Sequence, residues 1–315
     1  MSPREDGKIT CLVPVYECAD RLADHLGTVR ALEEICDEIF WVVTPGEDNS
    51  VRMVQNVLRA RGGKYLEVPR GLYEAWNSGI SRVTTEFIYI STVGDAVAPR
   101  GLVSLRACLQ ETGADVCFSP PCLPEEKKAR RQLRDWPVFR FRKELGAWEG
   151  KILPPWMVAK LQALSGIHSL LGSCASCLFR TSFLQSHPFP AGYFHYGDSA
   201  WVYQNQAVAR LVFLRQPVAK FSVHGPSGRT VEPRGVERLR WMVIRRLALQ
   251  TRGKAAAQAL RRMSACIRYL DAHRGRRPAR FWWLRPKLLA VRLQKVLQKG
   301  LFAARIRQLI PAGKP

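Results

Sequence analysis

The sequence predicts an α/β fold, a mostly parallel sheet with flanking helices, followed by a basic helical C-terminal extension. Two observations predict the first part: short apolar, β-branched runs recur through the first 120 residues, and apolar residues repeat at helical spacing between them. Charge marks the second part. Residues 1–120 carry 12 Lys+Arg against 17 Asp+Glu, net −5, which leaves 37 against 9 in residues 121–315, net +28. Residues 231–315 alone hold 22 Lys+Arg against Glu232, Glu237 and Asp271, net +19. A segment of that sign is drawn to anionic surfaces, phospholipid or nucleic acid.

The elements follow in order. "KITCLVPVY" (8–16) reads as the first strand, and Leu22, Leu26, Val29 and Leu32 as the face of a helix after it. "EIFWVVT" (38–44) is a second strand, broken by "PGEDNS" before Val51, Val54, Val57 and Leu58 return at helical spacing. "KYLEV" (64–68), "EFIYIST" (86–92) and "ADVCFSP" (114–120) complete five strands. Between the third and fourth, "GLYEAWNSGISRV" places Leu72, Tyr73, Trp76, Ile80 and Val83 on one helical face. Residues 121–155 are charged and rich in Pro, and read as an insertion over the sheet. Regularity returns with "SCASCLFR" (173–180), a helix in "DSAWVYQNQAVAR" (198–210) and strands in "LVFLRQPVAKFSV" (211–223). From Glu232 the text is helical and rich in Arg.

An open α/β sheet binds its ligand beyond the carboxyl ends of its strands. Asp95 stands there, just past "EFIYIST", and Gly94 before it lets the backbone come close to a bound group. A lone carboxylate at that place suits a hard cation on a diphosphate, because Mg²⁺ takes one or two protein oxygens and fills its shell from phosphate and water. The bland alternative is that Asp95 begins the helix after "GDAVAP".

These residues carry a resemblance. The opening "ITCLVPVYECADRL", the "GLYEAWNSGI" helix and the strand ending in an acid together resemble the family 2 glycosyltransferases, over roughly residues 8–230. That family has the GT-A fold, inverts the anomeric centre and uses nucleotide-diphosphate sugars. The resemblance implies a glycosyltransferase domain over residues 1–230, with residues 121–172 as a variable acceptor region and 231–315 as the extension. It implies a donor site of Pro14, Tyr16, Glu17, Thr44, Gly71, Asn77, Gly94 and Asp95, and a divalent cation, Mn²⁺ or Mg²⁺, on Asp95 and His224. Asp198 in "FHYGDSAWVYQ" takes the place of the base that deprotonates the acceptor hydroxyl, with Tyr196 and Trp201 as acceptor-binding residues. The acceptor would be a saccharide or a lipid-linked one. The chain also departs from the family: Thr44 and Pro45 stand where relatives carry an Asp that reads the base, leaving Glu47 and Asp48 as nearby substitutes, and the metal motif is reduced to Asp95.

Each assignment has a plainer rival. Asp198 is also a plausible helix-capping residue, and His224 a loop histidine. Asn77 could bond backbone, and Gly79 could serve close packing. Nine cysteines, several inside apolar runs, read as small buried hydrophobes in a reducing cytosol, and Cys174 and Cys177 as part of a buried strand. The N-terminus lacks the apolar core of a signal peptide, and no apolar stretch reaches about 18 residues. In residues 280–315, Leu288, Val291, Leu293, Val296, Leu297, Leu301 and Phe302 interleave with Arg and Lys. That suits an interfacial helix on the inner face of a membrane, or a helix packed on the catalytic domain. No nucleic-acid-binding module is recognisable, so no specific nucleic acid is expected. Two other functions stay open: a catalytically degenerate relative that binds sugar nucleotides, and an anion-binding scaffold.

Overall fold

The computed structural model describes residues 7–221 apart from 124–129, 131, 132, 135, 166 and 167. The chain divides between Arg240 and Trp241, and all described residues fall in the first unit. The basic extension, and with it His224, lies outside them.

The sheet is built on β1 (Ile9–Val15), a run of β-branched and apolar residues buried at every position but Pro14. It pairs parallel with β2 (Glu38–Val43) on one side and β4 (Phe87–Ile90) on the other, and β3 (Lys64–Glu67) adds parallel to β2. Beyond β4 come β7 (Cys177–Arg180), β6 (Val116–Phe118) and β8 (Leu211–Phe213), giving the order β3-β2-β1-β4-β7-β6-β8. β7 runs antiparallel to both neighbours, and every other pairing is parallel. At the reversal, Arg180 pairs with Glu86 and lies 5.1 Å over the Phe87 ring.

Period-two alternation splits the core into two layers. Cys11, Val13, Trp41 and Tyr89 face α1 (Ala19–Leu32), α2 (Ser50–Arg61) and α4 (Pro99–Thr112). Leu12, Phe40, Val42 and Ile90 face the other way, toward α3 (Leu72–Ile80). Gly79 lets α3 sit down on the sheet: a Cβ there would lie 2.5 Å from Val42 Cγ2 and 2.7 Å from Leu12 Cδ1. The buried face of α3 is Tyr73, Ala75, Trp76, Gly79 and Ile80, whereas Leu72, expected on it, is exposed.

Four features depart from the sequence reading. Residues 121–155, expected to be irregular, hold α5 (Pro137–Arg140) and α6 (Arg142–Gly146), and α7 (Pro155–Ser165) follows at once. Leu153 N–H donates to Leu211 O at 2.7 Å and Gly150 N–H to Phe213 O at 3.1 Å, so this segment covers the β8 edge. Ala96 and Val97 form β5, paired antiparallel with β9 (Ala219–Lys220), between Asp95 and α4. Thr181–Ser186 is a short helix, α8, and Cys174 lies in a 3-10 turn (Cys174–Ser176) rather than in the strand that Cys177 opens. No described helix is long and apolar enough to cross a membrane.

Candidate active site

The carboxyl ends of β1, β2 and β4 meet the start of α3 along one edge. Just past β1 come Tyr16, whose ring carries the Arg70 guanidinium at 5.2 Å, and Glu17, which is exposed and has φ +39°. A non-glycine residue in the left-handed region is uncommon and collects at binding sites. Pro14 is partly exposed beside them, and Thr44, at the end of β2, is buried with its N–H on Val15 O at 2.9 Å. Gly71 opens α3, its carbonyl accepting from Ala75 N–H at 2.9 Å. Asp48, a suggested reader of the base, has another task. Its carboxylate accepts from Ala19 N–H (2.8 Å), Ser50 N–H (3.0 Å) and Ser50 Oγ (2.8 Å), stitching the starts of α1 and α2.

Past β4 the chain turns through Gly94 at φ +101°, a conformation that favours glycine. The turn aims Asp95, which is 5 % exposed, inward, where one carboxylate oxygen accepts from Thr92 Oγ1 at 3.0 Å and Ser173 Oγ at 3.2 Å. Beneath it, His25 of α1 meets Ser91 Oγ at 3.0 Å, and burial pushes its pKa down to about 4. A neutral imidazole therefore supports this turn at physiological pH.

Asp95 faces a cavity of about 360 Å³ whose wall also holds Asp198. That volume falls in the lower part of the range usual for small-molecule sites. Tyr73 and Trp76 of α3, Trp136, and Phe221 give it aromatic walls, and His168, His195, Ser173 and Ser199 give it polar ones. Asp198 is the second residue of α9 (Gly197–Asn205) and stands two positions past the capping residue, Tyr196, so it is a first-turn acid rather than the cap. Its carboxylate accepts from the Ser199 N–H at 2.7 Å. Burial pushes its pKa up to about 6, against the bonds from Ser199 and Tyr73 that favour the charged form.

Two expected site residues are structural. Trp201 is fully buried, donates its indole N–H to His187 O at 2.6 Å and packs against Phe179, Phe183 and Phe189, so it is closed to an acceptor. Asn77 spends both ends of its amide on Phe189, donating to its carbonyl at 2.7 Å and accepting its N–H at 3.0 Å. Tyr196 does line the cavity. Conversely, Tyr73, Trp136, His168 and Phe221 line the cavity although nothing in the sequence assigns them to a site. An aromatic in an apolar helical stripe reads as core, and no sequence spacing brings residues 136, 168 and 221 together.

The donor set around Asp95 suits a cation held partly by a ligand's own phosphates rather than a protein cage. One buried carboxylate is braced by hydroxyls, and no cluster of three or more His, Cys, Asp or Glu side chains surrounds it among the described residues.

No protein-family model and no curated protein matches this chain. Solved structures do. S. aureus TarS residues 1–349 in complex with UDP-GlcNAc superposes with a TM-score of 0.55 at 14% identity, over 80% of this chain and 69% of that one. The longer S. aureus TarS structure gives 0.54 at 13% identity, over 80% of this chain and 41% of that one. The mannosyltransferase PcManGT from Pyrobaculum calidifontis, in complex with GDP-Man and Mn²⁺, gives 0.53 at 17% identity, over 98% and 88%. At these identities the likeness is one of fold, and the chain carries the GT-A fold in which nucleotide-sugar glycosyltransferases are built.

Proposed function

We propose that this protein transfers a sugar from a nucleotide-diphosphate sugar to an acceptor hydroxyl, with inversion and with Asp198 as the general base. The observation that carries the reading is the placement of two carboxylates on one cavity: Asp95 at the carboxyl end of β4, Asp198 at the start of α9. The nucleotide would lie along the edge formed by Tyr16, Thr44, Arg70 and Gly71. A divalent cation on Asp95 would supply charge to the leaving diphosphate. The acceptor would enter between the aromatic walls, its hydroxyl reaching Asp198.

A sugar hydroxyl is a poor nucleophile until a base takes its proton, and a base works best with a pKa near the working pH. At about 6, Asp198 is mostly ionised at neutral pH yet more basic than an exposed carboxylate. With substrate filling the cavity, the aromatic walls would exclude water, which would strengthen each polar contact inside and limit hydrolysis of the donor. The TarS and PcManGT structures hold UDP-GlcNAc and GDP-Man respectively, so both uridine and guanosine donors belong in the search. The acceptor, saccharide or lipid-linked, and a seat for the basic extension on an anionic membrane surface complete the proposal.

The test is a kinetic split. Asp198→Asn should lower kcat by about 10²-fold or more while the donor Kd changes by less than about twofold. Equal loss of donor binding and turnover would contradict the base assignment.

A further inference from the structure

We propose that the Tyr73 hydroxyl is the positioning group for the Asp198 carboxylate, tying the helix on the donor side of the cavity to the helix that carries the acid. The inference rests on the functional reading above.

Asp198 is the second residue of α9, so its backbone N–H belongs to the first turn and has no partner within the helix. Tyr73 supplies one: its Oη accepts that N–H at 3.1 Å. The same hydroxyl is near enough to the Asp198 carboxylate to favour its charged form. A phenol carries one donor beside its acceptor lone pairs, so accepting the N–H leaves its own proton available to the carboxylate. Asp198 is then held from two elements, its backbone N–H by Tyr73 of α3 and its carboxylate by the Ser199 N–H of α9 at 2.7 Å.

The ring that bears the hydroxyl is itself fixed. It is 3 % exposed, meets Trp76 edge-on at 5.1 Å and lies 5.4 Å from Phe189. Gly197 is cut to fit it, since a Cβ there would fall 2.3 Å from Tyr73 Cε2. One turn along α3, Asn77 holds Phe189 by its pair of bonds, so the two segments are joined at both ends of the contact.

The other titratable groups facing Asp198 are Cys174 in the 3-10 turn and Cys177 of β7, with His168, His195, Tyr196 and, across the cavity, Asp95. No Lys or Arg lines the cavity among the described residues. Hydrogen bonds therefore carry the local stabilisation of the charged carboxylate, and loss of the tyrosine bond should be felt in its titration.

The experiment is a ¹³C carboxyl NMR titration of full-length protein, with Asp198 assigned by its disappearance in Asp198→Asn, run on wild type, Tyr73→Phe and Gly197→Ala. The kcat and KM of each are measured across pH. Tyr73→Phe should raise the Asp198 midpoint by roughly 0.5–1 pH unit. The acid limb of kcat should move with it, and kcat should fall on the order of 10-fold with donor KM unchanged. Gly197→Ala keeps the hydroxyl but forces the ring away, so it should give the same signature, and it serves if Tyr73→Phe does not fold. An unmoved Asp198 midpoint, or a rise in KM at constant kcat, would overturn the proposal. The titration needs no turnover. A wild type that transfers sugar from no donor would refute the functional reading, while the tyrosine–carboxylate link is still scored by NMR.

Discussion

At the scale of single residues, Asp198 connects stability to chemistry. Its carboxyl is raised to about 6 by burial, so between roughly pH 4 and 6 the folded protein binds a proton that the unfolded chain has released. Stability from this group therefore falls as pH rises through that window, and the buried charge is a standing cost above it. Asp198→Asn should melt higher than wild type at pH 7–8, by about 2–4 °C for each kcal/mol relieved, and the gap should close near pH 4. A differential scanning series in pH checks this, and a variant that melts lower at pH 8 would contradict the buried-charge account. The kcat of the wild type should halve near pH 6 on its acid side. This residue was legible in the sequence because an acid after a loop and before a helix matched a family pattern. Its partner was not: Tyr73 reads as one more apolar-face aromatic until α3 and α9 are seen against each other.

At the scale of elements, the site depends on how closely α3 and the β4 turn approach the sheet. Gly94→Ala places a side chain at φ +101°, where it is strained by about 1–3 kcal/mol, and shifts the turn that aims Asp95. Cation-dependent nucleotide binding should weaken, and an unchanged Kd would show that the turn tolerates a side chain. Gly79→Ala drives a methyl into Val42 and Leu12, so urea unfolding should show a loss of about 1–3 kcal/mol with an unchanged m-value. Five of the six strands in the first 120 residues were legible because each is a short apolar or aromatic run between turn residues. α7 was not, since its buried residues Met157, Val158 and Leu161 follow paired prolines that read as loop. β5 escaped because a two-residue strand carries no period, whereas its partner β9 lies within the strands read over 211–223.

At the scale of the whole molecule, an acidic N-terminal sheet region is joined to a strongly basic C-terminal one, and the net charge of +23 resides in the second. If the extension is the membrane anchor, the full chain should float with anionic vesicles at low salt and release as salt screens it. Deleting residues 280–315 should abolish flotation, and persistent flotation would place the anchor elsewhere. The central claim concerns the donor site. Its most direct test is thermal unfolding of wild type and Asp95→Asn with UDP, GDP and their sugar conjugates, with and without Mn²⁺ or Mg²⁺. The account predicts stabilisation by one nucleotide class, strengthened by the cation and lost in Asp95→Asn. No shift with any nucleotide, cation present or absent, would contradict it.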